Sequence, residues 1–193
     1  MTTHYRKLPH QHPDGAWLFV TWRLAGALPS QPEVLTRNEP QANAGAAFAA
    51  FDRSLDQVTR GPKWLADARI ARLVADTMLV GEQERNCYRL RAWVLMPNHV
   101  HVLWLPRVPM PMITRWIKGS TARSANLQLG RTASAFWQAE SYDHWVRNKD
   151  EMEKTVRYIE MNPVRAGLAA IPEDWIWSSA HLAGGIACPT AAA

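Results

Sequence analysis

Runs of apolar residues bounded by turn formers divide the chain into strands and helices. Ala16 to Leu24 (Ala-Trp-Leu-Phe-Val-Thr-Trp-Arg-Leu) lies between Pro13-Asp14-Gly15 and Gly26, and predicts a first strand. The polar, alanine-rich stretch from Gln31 to Gly45 predicts a surface loop. Phe48 to Val58 has helical spacing, and Pro62 to Val80 repeats it with Leu65, Ile70, Leu73, Val74 and Met78 apolar. Tyr88 to Leu95 and His99 to Leu105 predict two further strands, joined as a hairpin through Met96-Pro97-Asn98. A helix follows from about Met112 to Leu129, closed by Gly130, and then a fourth strand over Phe136 to Arg147. The last helix runs from Asp150 to about Asn162; its acidic first turn suits the helix dipole, and Pro163 ends or kinks it. The order β-α-β-β-α-β-α is that of an α+β, ferredoxin-like antiparallel sheet with helices on one face and an added C-terminal helix. With no repeat and no separating linker, residues 1–193 are expected to form a single domain, with a core of about 16–168, an N-terminal arm 1–15 and a C-terminal tail 169–193.

Composition narrows the class. No stretch is apolar enough to span a bilayer, and His4-Tyr5-Arg6-Lys7 leads into Pro and polar residues rather than a signal-peptide core. Cys87 and Cys188 match no metal or redox spacing, so a reduced, cytoplasmic protein is expected. Charge is more telling in its distribution than in its net value of +5. Between Asn86 and Ala139 there is no acidic residue, yet Arg89, Arg91, Arg107, Arg115, Lys118, Arg123 and Arg131 are all there. Glu33 to Arg85, by contrast, carries seven basic and eight acidic residues. Such a one-signed stretch suits a polyanion, with nucleic acid the natural one. Ten tryptophans are mostly core material, with one or two available to stack on unpaired bases.

The candidate chemistry lies at the start of that basic stretch. In the strand beginning at His99, residues two apart face the same way, so His99 and His101 project together while Val100 and Val102 face the apolar side. The rise along a strand separates the two imidazoles by about 7 Å and makes them half of a metal site. On the last helix Met152, Val156 and Ile159 form the buried stripe, with Tyr158 at its margin and Asn162 one turn further on the same face. Docked over the histidines, Tyr158 supplies a nucleophile and Asn162 a third metal ligand. A tyrosine, with its pKa of about 10, is a poor nucleophile unaided. A divalent ion, Mg²⁺ or Mn²⁺, would polarise the phosphate it attacks. Tyr5, Tyr88 and Tyr142 compete for the role, Tyr142 most strongly because polar residues including His144 surround it.

Taken together, Met96-Pro97-Asn98-His99-Val100-His101, Ile117-Lys118-Gly119, Phe136-Trp137-Gln138 and the run Tyr158-Ile159-Glu160-Met161-Asn162-Pro163-Val164-Arg165-Ala166-Gly167-Leu168 closely resemble the REP-associated tyrosine transposases, members of the HUH single-tyrosine transposases. The likeness extends from Lys7-Leu8-Pro9 to Trp175-Ile176-Trp177-Ser178-Ser179-Ala180. It implies a ferredoxin-like core that cleaves and rejoins single-stranded DNA at palindromic REP hairpins through a 5′-phosphotyrosine. His99 and His101 become metal ligands and Tyr158 the nucleophile, with Asn162 standing where related insertion-sequence transposases place a Gln. Arg115, Lys118 and Arg123 become DNA-binding residues, Mg²⁺ or Mn²⁺ the cofactor, and a nucleoid-associated monomer or homodimer the working form. Two other classes stay open: a hairpin-DNA binding regulator that does not cleave, and a metal-dependent phosphodiesterase that uses activated water instead of a tyrosine.

Overall fold

A computed structural model of the chain describes residues 13–27 and 61–184. The expected loop at 31–45, the helix at 48–58, Lys7-Leu8-Pro9, Tyr5 and Cys188 lie outside the described residues. The elements run β1 (Trp17–Arg23), a 3-10 turn (Trp64–Ala66), α1 (Ala68–Gln83), β2 (Tyr88–Leu95), β3 (His99–Pro106), α2 (Met110–Gln128), β4 (Tyr142–Val146), α3 (Lys149–Glu160), α4 (Asn162–Arg165), a second 3-10 turn (Pro172–Asp174) and α5 (Ser179–Ala183). The four strands form one sheet in the order β2-β3-β1-β4, with every neighbouring pair antiparallel. This is the ferredoxin-like arrangement predicted from the element order.

Alternation along the strands sorts the residues onto two faces. Leu18, Val20, Trp22, Val100, Val102 and Trp104 join Ile70, Val74 and Met78 of α1 and Ile113, Ile117 and Ala125 of α2 in the larger core. Phe19, Ala92, Val94, Leu103 and Val146 meet Ile159 of α3 in a smaller one on the other side. The two faces stay in step along β2 because the register with β3 shifts between Leu90 and Ala92, which leaves the exposed Arg91 as the extra residue. α1 and α2 thus cover one face, and α3 crosses the other.

Gly81 fixes how closely α1 approaches β2. The Tyr88 hydroxyl, which donates to Met78 O at 2.7 Å, and the Trp116 ring occupy the space a Cβ at Gly81 would take. Gly81→Ala is therefore expected to cost about 3 kcal/mol of stability, the upper range for overpacking a rigid core. Urea unfolding would read this as a lower midpoint at unchanged slope.

Three elements differ from their sequence-based expectation: the helix expected from Pro62 begins only at Ala68, behind the 3-10 turn and with Asp67 as its N-cap, and two more differ further along. The fourth strand was expected from Phe136, but regular pairing starts only at Tyr142. Residues 136–138 are attached to the end of β1 by an isolated bridge between Leu24 and Trp137 and by the Gln138 amide donating to Arg23 O. The last helix stops at Glu160, and Asn162 opens the separate turn α4 with Pro163 inside its first two positions, where the missing N–H is harmless. Beyond it, the C-terminal run lies along the outer edge of β2: Val94 bridges Ser178, Leu95 N donates to Trp177 O at 2.8 Å, and Trp175 Nε1 donates to Leu95 O at 2.9 Å. Among the described residues no helix is long and apolar enough to cross a membrane.

Candidate active site

Register places the functional side chains. Thr21 pairs with both His101 and Tyr142, Arg23 pairs with His99, and Val94 pairs with His101. Directly paired residues share a face, so Arg23, Thr21, His99, His101 and Tyr142 all lie on the side crossed by α3. Both histidines are fully buried.

Their tips are closer than strand rise alone suggests. Rise separates the Cα atoms, but the rings lean together until His99 Nε2 and His101 Nε2 are 3.0 Å apart. Each ring is held from behind, His99 Nδ1 by Asn98 Oδ1 at 2.6 Å and His101 Nδ1 by Thr21 Oγ1 at 2.7 Å. The Asn98 oxygen can only accept, so a neutral His99 carries its proton on Nδ1 and offers Nε2 to an ion. His101 offers Nε2 in the same way in the tautomer that carries its proton on Nδ1, where the Thr21 oxygen accepts it. Two nitrogens at right angles on an ion with bonds of about 2.1 Å also stand about 3.0 Å apart. The donor set therefore fits a small divalent cation. Among the described residues no group of three or more His, Cys, Asp or Glu gathers, so a third donor drawn from those residues is of another type. Asn162, at the start of α4, is buried to 1% exposure.

Tyr158, half-buried on α3, lies edge-on to His101 with ring centroids 5.9 Å apart, and edge-on to Phe19 at 6.0 Å. Phe19 in turn stacks on His101 at 5.6 Å. The Arg165 guanidinium lies 5.0 Å from the Tyr158 ring centroid. Tyr142 meets Phe19 from the β4 side at 6.5 Å. Burial, aided by the Asp143 and Glu151 carboxylates, pushes the Tyr142 phenol up to about 12, so at neutral pH it is a protonated donor. Arg23 is held below the ordinary guanidinium range by its partial burial.

α3 is anchored at its start by Asn148, whose side chain accepts from Glu151 N, and by the Glu151 carboxylate. That carboxylate accepts from His144 Nε2 at 2.8 Å and from Arg147 N at 2.8 Å. Burial alone would raise Glu151, but these hydrogen bonds hold it below the usual carboxylate range.

The basic residues of α2 occupy the opposite layer of the molecule from the histidines. Arg115 and Arg123 are exposed. Arg115 and Lys118 line a cleft of about 950 Å³ together with Arg107, Thr114 and Asp143. Lys118, expected to hold DNA, is turned toward its own chain. Its ammonium donates to Ser141 Oγ at 2.8 Å, Gln138 O at 3.0 Å, Ala139 O at 3.1 Å and Glu140 O at 3.4 Å. Replacing Lys118 by Met should cost about 1.5–3 kcal/mol, the worth of charge-assisted hydrogen bonds, and lower the melting temperature by several degrees. Arg115→Ala and Arg123→Ala should leave melting unchanged.

Sequence reasoning missed Thr21, Asn98, Phe19 and Arg165. Asn98 had a readable signal, since an Asn one residue before a His in a turn can reach its Nδ1. Thr21 had none, because the pairing of β1 with β3 is a tertiary fact.

Residues 68–162 match the family described as Transposase IS200 like. The REP-associated tyrosine transposase of Escherichia coli (strain K12) is 31% identical over 97 residues, covering 49% of this chain and 55% of that protein. The chain thus spans about half the length of this curated relative. A solved REP-associated tyrosine transposase bound to a REP hairpin aligns over 100% of this chain and 93% of its own, with a TM-score of 0.56 at 21% identity; that likeness is one of fold. A putative transposase from Deinococcus radiodurans reaches a TM-score of 0.36 at 16% identity, over 81% of this chain and 98% of its own, and no argument rests on it. The chain is thus similar to IS200-like transposases over residues 68–162 and to one REP-associated tyrosine transposase over 97 residues, and it shares the fold of another.

Proposed function

We propose, for a chain whose residues 68–162 match the IS200-like transposases, that it cleaves and rejoins single-stranded DNA at palindromic hairpins of the REP type. One observation carries the reading: two imidazole Nε2 atoms 3.0 Å apart, with a tyrosine ring 5.9 Å from one of them, on one face of a ferredoxin-like sheet. In the proposed reaction Tyr158 Oη attacks the scissile phosphorus and loses its proton, and the bond from phosphorus to the 3′ oxygen breaks. The departing 3′ oxygen is protonated as a free hydroxyl, leaving a 5′-phosphotyrosine. One ester replaces another, so the step reverses without ATP.

His99 and His101 would hold Mg²⁺ or Mn²⁺, with Asn162 as the proposed third donor. A bound divalent ion would polarise a non-bridging phosphate oxygen and offset charge in the transition state. Asn98 and Thr21 keep the two rings in place, and the hydrogen bonds behind ligating histidines matter for affinity. Phe19 holds the Tyr158 ring from the sheet side. Arg165 and the partly buried Arg23 bring positive charge to where the phosphate would sit. Arg115 and Arg123 are proposed to contact the hairpin backbone, whereas Lys118, engaged with the 138–141 loop, would act on DNA through its field alone.

The test is a labelled single-stranded hairpin incubated with the protein and Mn²⁺ or Mg²⁺, then resolved on a denaturing gel. A covalent protein–DNA band that disappears with chelator is expected. Tight, salt-sensitive binding with no covalent band across several palindromes would overturn cleavage in favour of a hairpin-binding regulator.

A further inference from the structure

The helix bearing Tyr158 has a thin apolar seam. Of α3, only Ile159 is fully buried, while Met152 and Val156 are half-buried. Packing of that kind fixes a helix to a sheet loosely in angle. Its N-terminal end is pinned to β4 through Glu151. Its C-terminal end is pinned at the other edge of the sheet. There Glu160, the last residue of α3, accepts a hydrogen bond through Oε1 from Ser179 Oγ at 2.9 Å. The same Ser179 oxygen accepts from the backbone amide of Trp93 on β2 at 3.1 Å. The hydroxyl's single proton and one of its lone pairs are thus both used, with no ambiguity of direction.

Ser179 is held in place by the run along the β2 edge. Leu95 is bonded on both sides of its backbone to that run, by Trp177 O and by Trp175 Nε1. Ser178 caps α5 by accepting from Ala180 N at 3.1 Å, and His181 Nδ1 bonds Glu173 O at 2.7 Å. On the sheet side, Trp93 directly precedes Val94, the residue paired with His101. A continuous path therefore runs from the histidine strand through β2 and Ser179 to Glu160, two residues from Tyr158. Past Glu160 the chain breaks into α4, so Glu160 is the last point at which α3 itself is tied down.

We propose that Ser179 and Glu160 are positioning residues, and that the C-terminal run is a clasp setting the angle at which α3 holds Tyr158 over His101. This rests on the reading of Tyr158 as the nucleophile. One hydrogen bond of this kind adds little to folding, but displacement of a reacting group by about 1 Å costs on the order of 10²-fold in rate. Loss of the clasp thus affects the chemical step far more than hairpin binding or melting.

The experiment compares Ser179→Ala, Glu160→Ala, Glu160→Gln and the double alanine variant. Single-turnover adduct formation on a labelled single-stranded hairpin with Mn²⁺ is read beside hairpin affinity and amide hydrogen exchange over residues 154–162. The alanine variants are expected to form adduct roughly 30–100-fold more slowly, with affinity within about threefold of the parent. Glu160→Gln, which keeps the accepting oxygen, restores the rate, and the double variant is no slower than the slower single, as for two groups in one link. Exchange at 157–162 rises in the alanine variants. Adduct rates within about twofold of the parent, or multiplicative single effects, would overturn the clasp. Should Ser179→Ala fail to fold, Glu160→Ala and Glu160→Gln carry the comparison. Should the parent form no adduct, the function reading falls, and the exchange measurement still decides the clasp: unchanged exchange at 157–162 overturns it.

Discussion

Tyr158→Phe is expected to lower covalent adduct formation by more than about 10⁴-fold, the scale on which loss of a nucleophile acts, with hairpin affinity nearly unchanged. The substitution removes one oxygen and keeps the ring. Its edge contacts with Phe19 and His101 and the Arg165 cation over its face need only that ring, so α3 should stay seated. Tyr142→Phe is the informative companion. Tyr142 lies on the same face and touches the same Phe19, yet its phenol is pushed up to about 12 by burial and the Asp143 and Glu151 carboxylates. Tyr142→Phe should retain the adduct. An adduct that survives Tyr158→Phe and vanishes in Tyr142→Phe would move the nucleophile to β4.

The second large effect concerns the ion. Removing either imidazole, as in His99→Ala, should abolish metal-dependent cleavage and weaken Mn²⁺ binding by more than the roughly 10–100-fold typical of losing a group behind a ligand. Thr21→Val gives the graded control. It keeps the shape of the side chain but removes the oxygen 2.7 Å from His101 Nδ1, so His101 loses the acceptor for the tautomer that leaves Nε2 open. Its Mn²⁺ affinity should fall about 10–100-fold, with cleavage recovering at higher ion concentration. Calorimetric titration of Mn²⁺ into the three proteins would check the order. Equal affinities in the parent and His99→Ala would dismiss the pair as a metal site and leave it a hydrogen-bonded couple in the core.

How much of this was legible in the chain depends on how local each cause is. β2 was read to its residue boundaries because Tyr88 to Leu95 is bounded by its own turn formers. The histidines and Tyr158 could be grouped because strand and helix periods are local. The start of β4 was misread because the partners of residues 136–141 come from far away: the Lys118 ammonium 20 to 23 positions earlier in the chain and the end of β1. Those bonds draw the chain out of a regular ladder while its residues still look like a strand. Lys118 itself looked like a surface cation, and nothing within its helix reveals that four acceptors gather around it. The support behind the histidines divides the same way: Asn98 was within reach of the sequence, and Thr21 depended on a pairing of strands 80 residues apart.

The run that edges β2 also bears on how far the protein can be shortened. A chain cut after Leu168 would keep His99, His101, Tyr158 and Asn162, and by motif alone would look intact. It would also strip Ser179 from the Trp93 amide and Trp177 from the Leu95 amide, laying bare the apolar Trp93–Leu95 end of the β2 edge. An open edge of that kind is a template for other molecules of the same chain, so the shortened fragment would be prone to self-association and aggregation.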